Sequence, residues 1–205
     1  RVILERKNPY ALAPPSPELD ELRREDPELF QSINNKEFTA IYPPLAQGIF
    51  AGLALTGGGV RFFKVAFVVI FLGAILPLLW RWMQARNIPD GRLLSLLFLP
   101  LIHLEVAVSG HLDVLLLLAV AVIFFFVASE TRKTSAWGAA GGLAGAVLIK
   151  LAPIVLLPHL AWHWKSWRKR AVMLVAVPLL CALAYIPFLS AGEGLFQSLG
   201  TFNKA

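Results

Sequence analysis

The sequence predicts an all-α protein: a polytopic transmembrane helix bundle with a partly helical external loop. Three observations carry that expectation. The 205-residue chain is 57% hydrophobic and only 16% charged, with a mean hydropathy of +0.66; soluble domains sit nearer half apolar and a quarter charged. The apolar residues come in runs, several of them close to the roughly 17–25 residues that one bilayer crossing needs. The charges gather in the first 42 residues and in short segments between the runs. The polar opening does not read as a secretory signal, and the single Cys181 excludes an internal disulfide.

Residues 1–42 form the polar head. They hold eight acidic and six basic side chains, a net charge of −2. Within them PSPELDELRREDPELFQSI suggests one short helix, with Ser16 as N-cap and Pro17 at the first helical position. Glu18, Asp20 and Glu21 then occupy the first turn, where the helix dipole favours acids. Residues 43–205 form the membrane body. Spans are expected at about 62–80, 93–109, 111–129 and 171–190. Run 43–57 is short and ends at glycines 57–59. Run 137–161 is long but carries Lys150, Pro153 and Pro158 near its middle, which predicts two half-helices or a kink. The chain starts at Arg1 and stops at Asn203-Lys204-Ala205 without a closing element, so it is expected to be an internal piece of a longer protein.

Charge orients the runs. Segment 81–92 carries Arg81, Arg86 and Arg92 against Asp90. Segment 130–135 carries Arg132 and Lys133 against Glu130, and WHWKSWRKR (162–170) has four cations and no acid. Basic segments favour the cytoplasmic side. All three lie there if run 137–161 enters and returns, with Lys150 near its far turn. Trp80, Trp82, Trp162, Trp164 and Trp167 accompany these segments, as interfacial aromatics do. The stretch SGHLD (109–113) and the head then face the other side. The competing topology counts both ambiguous runs as full spans and puts SGHLD inside. The body supplies +8 and the head −2 to the net charge of +6, a distribution that reflects topology rather than affinity for nucleic acid.

Ionisable groups among apolar runs are candidate functional groups by default. His103, Glu105, His111 and Asp113 lie in LIHLEVAVSGHLDVLLLL, and Lys150 in AGAVLIKLAPIVLLP. Two readings fit SGHLD. Gly110 breaks one helix, Ser109 or Gly110 caps the next, and Asp113 complements its dipole; or the stretch is a chemical site, which alone accounts for His111. His111 and Asp113 are two apart and converge only if the turn at Gly110 is irregular. Lys150 either snorkels to an interface or binds an anionic phosphate. Arg61 and Lys64 either anchor at the interface or extend the same basic rim. Tyr42-Pro43-Pro44 leads the head into the first apolar run, and Asn8-Pro9-Tyr10 is a similar turn-like element. No glycine-rich phosphate loop, zinc spacing or serine-hydrolase elbow is present.

In order, RVILERKNPYALAP, AIYPPLAQ, LIHLEVAVSGHLDVLLLL and AVLIKLAPIVLLP resemble the GT-C membrane glycosyltransferases of bacteria, of the polyprenyl-phosphate-mannose-dependent mannosyltransferase type. The resemblance covers nearly the whole chain. It implies transfer of a mannose-like hexose from a polyprenyl-phosphate carrier to a glycan, lipid or protein acceptor, usually with inversion. It places the enzyme in the bacterial inner membrane, with the reaction on the non-cytoplasmic face. It also implies an acidic general base in the first large external loop, ahead of the NPY segment. Here that residue is expected upstream of Arg1. The donor phosphate or sugar is then expected to meet Lys150, His111, Asp113, Glu105 and Tyr42, with weaker parts for Arg61, His103, Tyr10 and Asn8. Membrane lipids are expected partners and nucleic acid is not. No cofactor is expected, and a divalent metal is allowed but not indicated. The competing classes are a transporter with broken helices and a non-catalytic membrane scaffold subunit.

Overall fold

The structure is a computed structural model that describes residues 1–57, 59–129 and 134–202. Residues 130–133 of the expected basic segment 130–135, with Arg132 and Lys133, and the final Asn203-Lys204-Ala205 lie outside the described residues. Of the described residues 74% are helical and none lies in a strand. In order it forms α1 (Asp20–Glu25), α2 (Pro27–Ser32), α3 (Pro44–Ala54) and α4 (Val60–Ile70). A π-turn at Phe71–Ile75 leads to α5 (Leu76–Ala85), α6 (Gly91–Leu97) and α7 (Pro100–His103). A second π-turn at Leu104–Ser109 precedes α8 (Asp113–Ala128), α9 (Ser135–Ile149), α10 (Leu157–His163), α11 (Trp167–Tyr185) and α12 (Gly194–Phe202). Among the described residues two segments are long and apolar enough to cross a bilayer, Val60–Ala85 and Trp167–Ala191. The chain is therefore an all-α membrane protein.

The helices differ from the expected runs for local reasons. Run 93–109 is a bent pair, Gly91–Leu97 and Pro100–Ser109, with 53° between its arms. Pro100 is the cause: Leu99 before it takes an extended conformation, φ −71° and ψ 117°, as steric conflict with a following proline requires. Run 111–129 yields 16 residues of helix, about 24 Å of rise. Run 137–161 divides at Lys150, which is extended (φ −141°, ψ 136°) and ends α9. The expected single helix of the head is likewise divided. Asp26 leaves the helix before Pro27, and its carboxylate then accepts the Leu29 N–H at 3.0 Å, capping α2. Ser16 sits at the N-terminus of the preceding 3-10 turn but makes no side-chain cap.

The chain forms two compact units, residues 1–57 with 184–205, and residues 58–183. The first holds the head, α3 and the C-terminal segment. Asn8 and Tyr10 join the head to that segment. The Asn8 side-chain amide donates to the Phe188 carbonyl at 3.0 Å and to the Ser190 hydroxyl at 2.9 Å, while its oxygen accepts the Tyr10 N–H. The Tyr10 ring is buried edge-on against Phe188, and its hydroxyl donates to the Tyr42 carbonyl at 2.8 Å. Gly194 fits here because a Cβ would stand 2.8 Å from the Tyr10 carbonyl oxygen. Burial pushes the Tyr10 phenol up from its ordinary value. The folded state therefore holds the proton more tightly than the unfolded chain. Stability from this group is complete below about pH 10 and falls as pH rises beyond it. Tyr10→Phe is expected to cost about 1–2 kcal/mol at neutral pH, by stranding the Tyr42 carbonyl, and to flatten the alkaline limb of a melting-temperature profile.

The second unit is built on the antiparallel pair α8–α9. Gly138 and Gly142 stand one helical turn apart on the face of α9 toward α8 and let the backbones close in. A Cβ on Gly142 would lie 2.9 Å from Ile123 Cγ1 and 3.2 Å from its backbone N, and one on Gly138 would strike the Phe126 ring. Small residues at i and i+4 serve this purpose in membrane helix pairs, where apolar lipid removes the hydrophobic drive and close packing must hold helices together. Ala136, Ala139, Ala140, Leu143 and Val147 complete the seam, and Ala161, Trp164, Met173 and Val177 cover it from α10, its end and α11.

Candidate active site

The α8–α9 pair has two chemically different ends. At one end the Lys169 ammonium meets the Ser135 hydroxyl at 3.1 Å, Arg170 Nε donates to the Trp164 carbonyl at 2.7 Å, and Trp82 stacks on Phe124 at 5.1 Å. At the other end lie Lys64, Gly110, His111, Asp113 and Lys150. Run 137–161 thus goes from the basic end to the second end and back, turning at Lys150.

The second end is assembled from helix breaks. The π-turn Leu104–Ser109 closes on Gly110 in the left-handed conformation, φ 64° and ψ 45°. The N–H groups of Gly110 and His111 both return to the Glu105 carbonyl, the latter at 2.8 Å. Lys64 of α4 donates from Nζ to the Val108 carbonyl at 2.6 Å, occupying an acceptor that the end of the turn leaves open. Its stem lies against Gly110, where a Cβ would meet Lys64 Cγ at 2.8 Å. Gly110→Ala therefore combines left-handed strain with a collision. It is expected to cost about 1–3 kcal/mol and to lower activity more than a mutation of equal stability cost elsewhere, checked by melting and transfer assays on one preparation.

This irregular turn brings His111 and Asp113 together. His111 Nδ1 lies 3.1 Å from Asp113 Oδ2, and Lys150 Nζ donates to Asp113 Oδ1 at 2.5 Å. One carboxylate thus joins the imidazole to the ammonium across 37 residues of sequence. An ionised carboxylate only accepts hydrogen bonds, so Nδ1 carries the proton, and in the neutral ring Nε2 is left as an acceptor. The three side chains are 52%, 43% and 40% exposed, so the cluster is open to a ligand. Exposed Val108, Ile154, Val155 and Leu156 adjoin it in sequence.

The other predicted residues fall elsewhere. Glu105 serves the turn through its carbonyl, while its side chain is half-exposed. His103 Nε2 lies 2.6 Å from the Leu97 carbonyl and donates to it across the Pro100 bend. Arg61 is exposed in the first turn of α4. Asn8 and Tyr10 hold the first unit together. Tyr42 belongs to that unit too, where it lines a cavity of about 530 Å³ with Leu22, Phe30, Ile33, Phe38, Gln47 and Phe50. Ser109 does not cap α8, which has Leu112 at its N-cap position and no side-chain cap there. Among the described residues no three His, Cys, Asp or Glu side chains gather as a metal-ligand group. Lys64 was read from the sequence only as an interfacial anchor or part of the basic rim; its bond to the Val108 carbonyl joins α4 to a turn 44 residues away, which spacing does not reveal.

A helical membrane protein whose charged side chains converge at helix breaks belongs to a class that handles polar groups within an apolar solvent. The chain belongs to glycosyltransferase family 87, whose family model matches residues 38–203. It is accordingly a membrane glycosyltransferase, an enzyme with a sugar donor and an acceptor. No curated protein and no solved structure matches it. Family membership displaces the transporter and scaffold readings.

Proposed function

We propose that the donor is a polyprenyl-phosphate hexose, mannose-like in its sugar, and that the Lys150–Asp113–His111 cluster receives its phosphate and sugar on the non-cytoplasmic face of a bacterial inner membrane. The observation that supports this reading is the half-exposed ammonium of Lys150 at a helix break, held by one carboxylate and followed by exposed apolar residues. A lipid-linked phosphate needs both features, a cation for its head and apolar surface for its tail. As the acceptor oxygen bonds to the anomeric carbon, the bond from that carbon to the phosphate oxygen breaks. The electron pair leaves with the polyprenyl phosphate, and the acceptor proton passes to an acidic general base. Lys150 offsets the charge that grows on the departing phosphate, where fixed positive groups act most strongly. Asp113 orients Lys150 and His111, and His111 Nε2 accepts from a sugar hydroxyl. The acceptor is a glycan, lipid or protein.

Purified full-length enzyme in proteoliposomes tests the donor class. Transfer is expected from polyprenyl-phosphate mannose and not from a nucleotide sugar. Transfer from the nucleotide sugar alone would overturn the reading.

A further inference from the structure

Two lysines from different helices hold the two ends of the stretch that carries His111. Lys150, at the end of α9, holds the carboxylate of Asp113 at 2.5 Å. Lys64 of α4 is half-buried and holds the main chain instead, donating to the Val108 carbonyl at 2.6 Å. A carbonyl at the end of a helix loses its partner in the next turn, and apolar surroundings make that loss costly; Lys64 supplies the donor. Its stem packs against Gly110, where a Cβ would lie 2.8 Å from Lys64 Cγ and 3.7 Å from its Cα. Both contacts fall directly before His111. Between them the chain turns left-handed at Gly110, φ 64°, and the His111 N–H returns to the Glu105 carbonyl at 2.8 Å.

We propose that Lys64 is a positioning residue for His111, acting through the Val108 carbonyl and the Gly110 turn. The inference rests on the reading of His111 Nε2 as an acceptor from a sugar hydroxyl. His111 faces Asp113 only because the turn is irregular; two apart on a regular helix, their side chains would point to different faces. Nδ1 meets Asp113 Oδ2 at 3.1 Å, and that bond keeps the proton on Nδ1 and leaves Nε2 to accept. The ring is 52% exposed, so packing alone does not fix it. Its aim depends on the backbone of residues 108–111, which Lys64 anchors from outside the stretch. Lys150 sets the carboxylate from the α9 side, and Lys64 sets the main chain from the α4 side. Removing the Lys64 ammonium frees the Val108 carbonyl, lets the turn relax and swings the imidazole out of line with Asp113. The neutral ring then divides its proton between both nitrogens.

Full-length enzyme in proteoliposomes provides the test, through transfer kinetics and nitrogen NMR of isotope-labelled histidine. The His111 resonances are identified by their loss in His111→Gln. Lys64→Met keeps a straight stem against Gly110 and loses the donor. Its kcat is expected to fall by about 10²-fold, the scale of a small misplacement at a reacting group, while KM for the donor stays near the wild-type value. Its His111 resonances are expected to report both tautomers, where the unmodified enzyme reports the proton on Nδ1. Lys64→Arg retains a donor and is expected to recover the wild-type tautomer and most of the transfer. A raised KM with unchanged kcat and tautomer would make Lys64 a phosphate contact and overturn the positioning role. A lowered kcat with the wild-type tautomer would overturn it as well, since the loss would not pass through His111. If Lys64→Met fails to fold, Lys64→Arg decides: recovery of both readouts supports the proposal, and lost transfer with the wild-type tautomer rejects it. Failure of polyprenyl-phosphate mannose as donor would overturn the donor reading alone, because the tautomer comparison is made without donor.

Discussion

Lys150→Ala in the full-length enzyme is expected to lower kcat/KM for the lipid-phosphate donor by about 10²–10³-fold, the scale of losing one fixed group that stabilises developing charge. The fold should tolerate the change. The Lys150–Asp113 pair is 40% and 43% exposed, and an ion pair open to solvent contributes about 0–1 kcal/mol. The melting temperature is thus expected to stay within a few degrees while transfer collapses. Asp113→Asn separates positioning from binding. It keeps the side-chain shape but removes the charge that holds Lys150 and fixes the His111 proton on Nδ1. The expected result is a larger fall in kcat than rise in KM, with a displaced pH profile for transfer. Wild-type transfer by Lys150→Ala would remove the lysine from the site.

Gly142→Leu is expected to destabilise the second unit by about 1–3 kcal/mol, the range for forcing added volume into a packed seam. Ile123 approaches with its backbone nitrogen as well as its side chain, so rotamer adjustment alone does not relieve the conflict. Gly141→Leu is the control, since nothing lies within 4 Å of a Cβ there; it should be neutral or slightly stabilising through helix propensity. Reversible unfolding in mixed micelles compares the two. Because α9 carries Lys150 at its end, Gly142→Leu should also weaken donor binding, whereas Gly141→Leu should not.

The fold class and the break at Lys150 were legible in the sequence, since apolar runs and a lysine beside Pro153 are local signals. Convergence of His111 and Asp113 was legible only as a condition: an irregular turn at Gly110 had to exist, and the left-handed glycine supplies it. The partner of Lys150 was not legible. Asp113 lies 37 residues away, and what brings the two together is the antiparallel closeness of α8 and α9, which spacing along one helix does not reveal. Asn8 and Tyr10 carried the opposite lesson. Their turn-like signature was real, but their side chains face internal partners at residues 185–190 and 42, contacts made by the fold of the whole unit.

The π-turn at Phe71–Ile75 has a rotational consequence. Lys64 and Trp82 are eighteen residues apart, five whole turns of α-helix, and on an unbroken rod they would share one face. The wider turn adds a residue and rephases everything after it by about 90–100°. Lys64 can then reach toward the Val108 carbonyl while Trp82, on a different azimuth, lies flat on Phe124. Winding Phe71–Ile75 as ordinary α-helix at unchanged length would restore the common azimuth, so that docking either side chain would turn the other away from its partner.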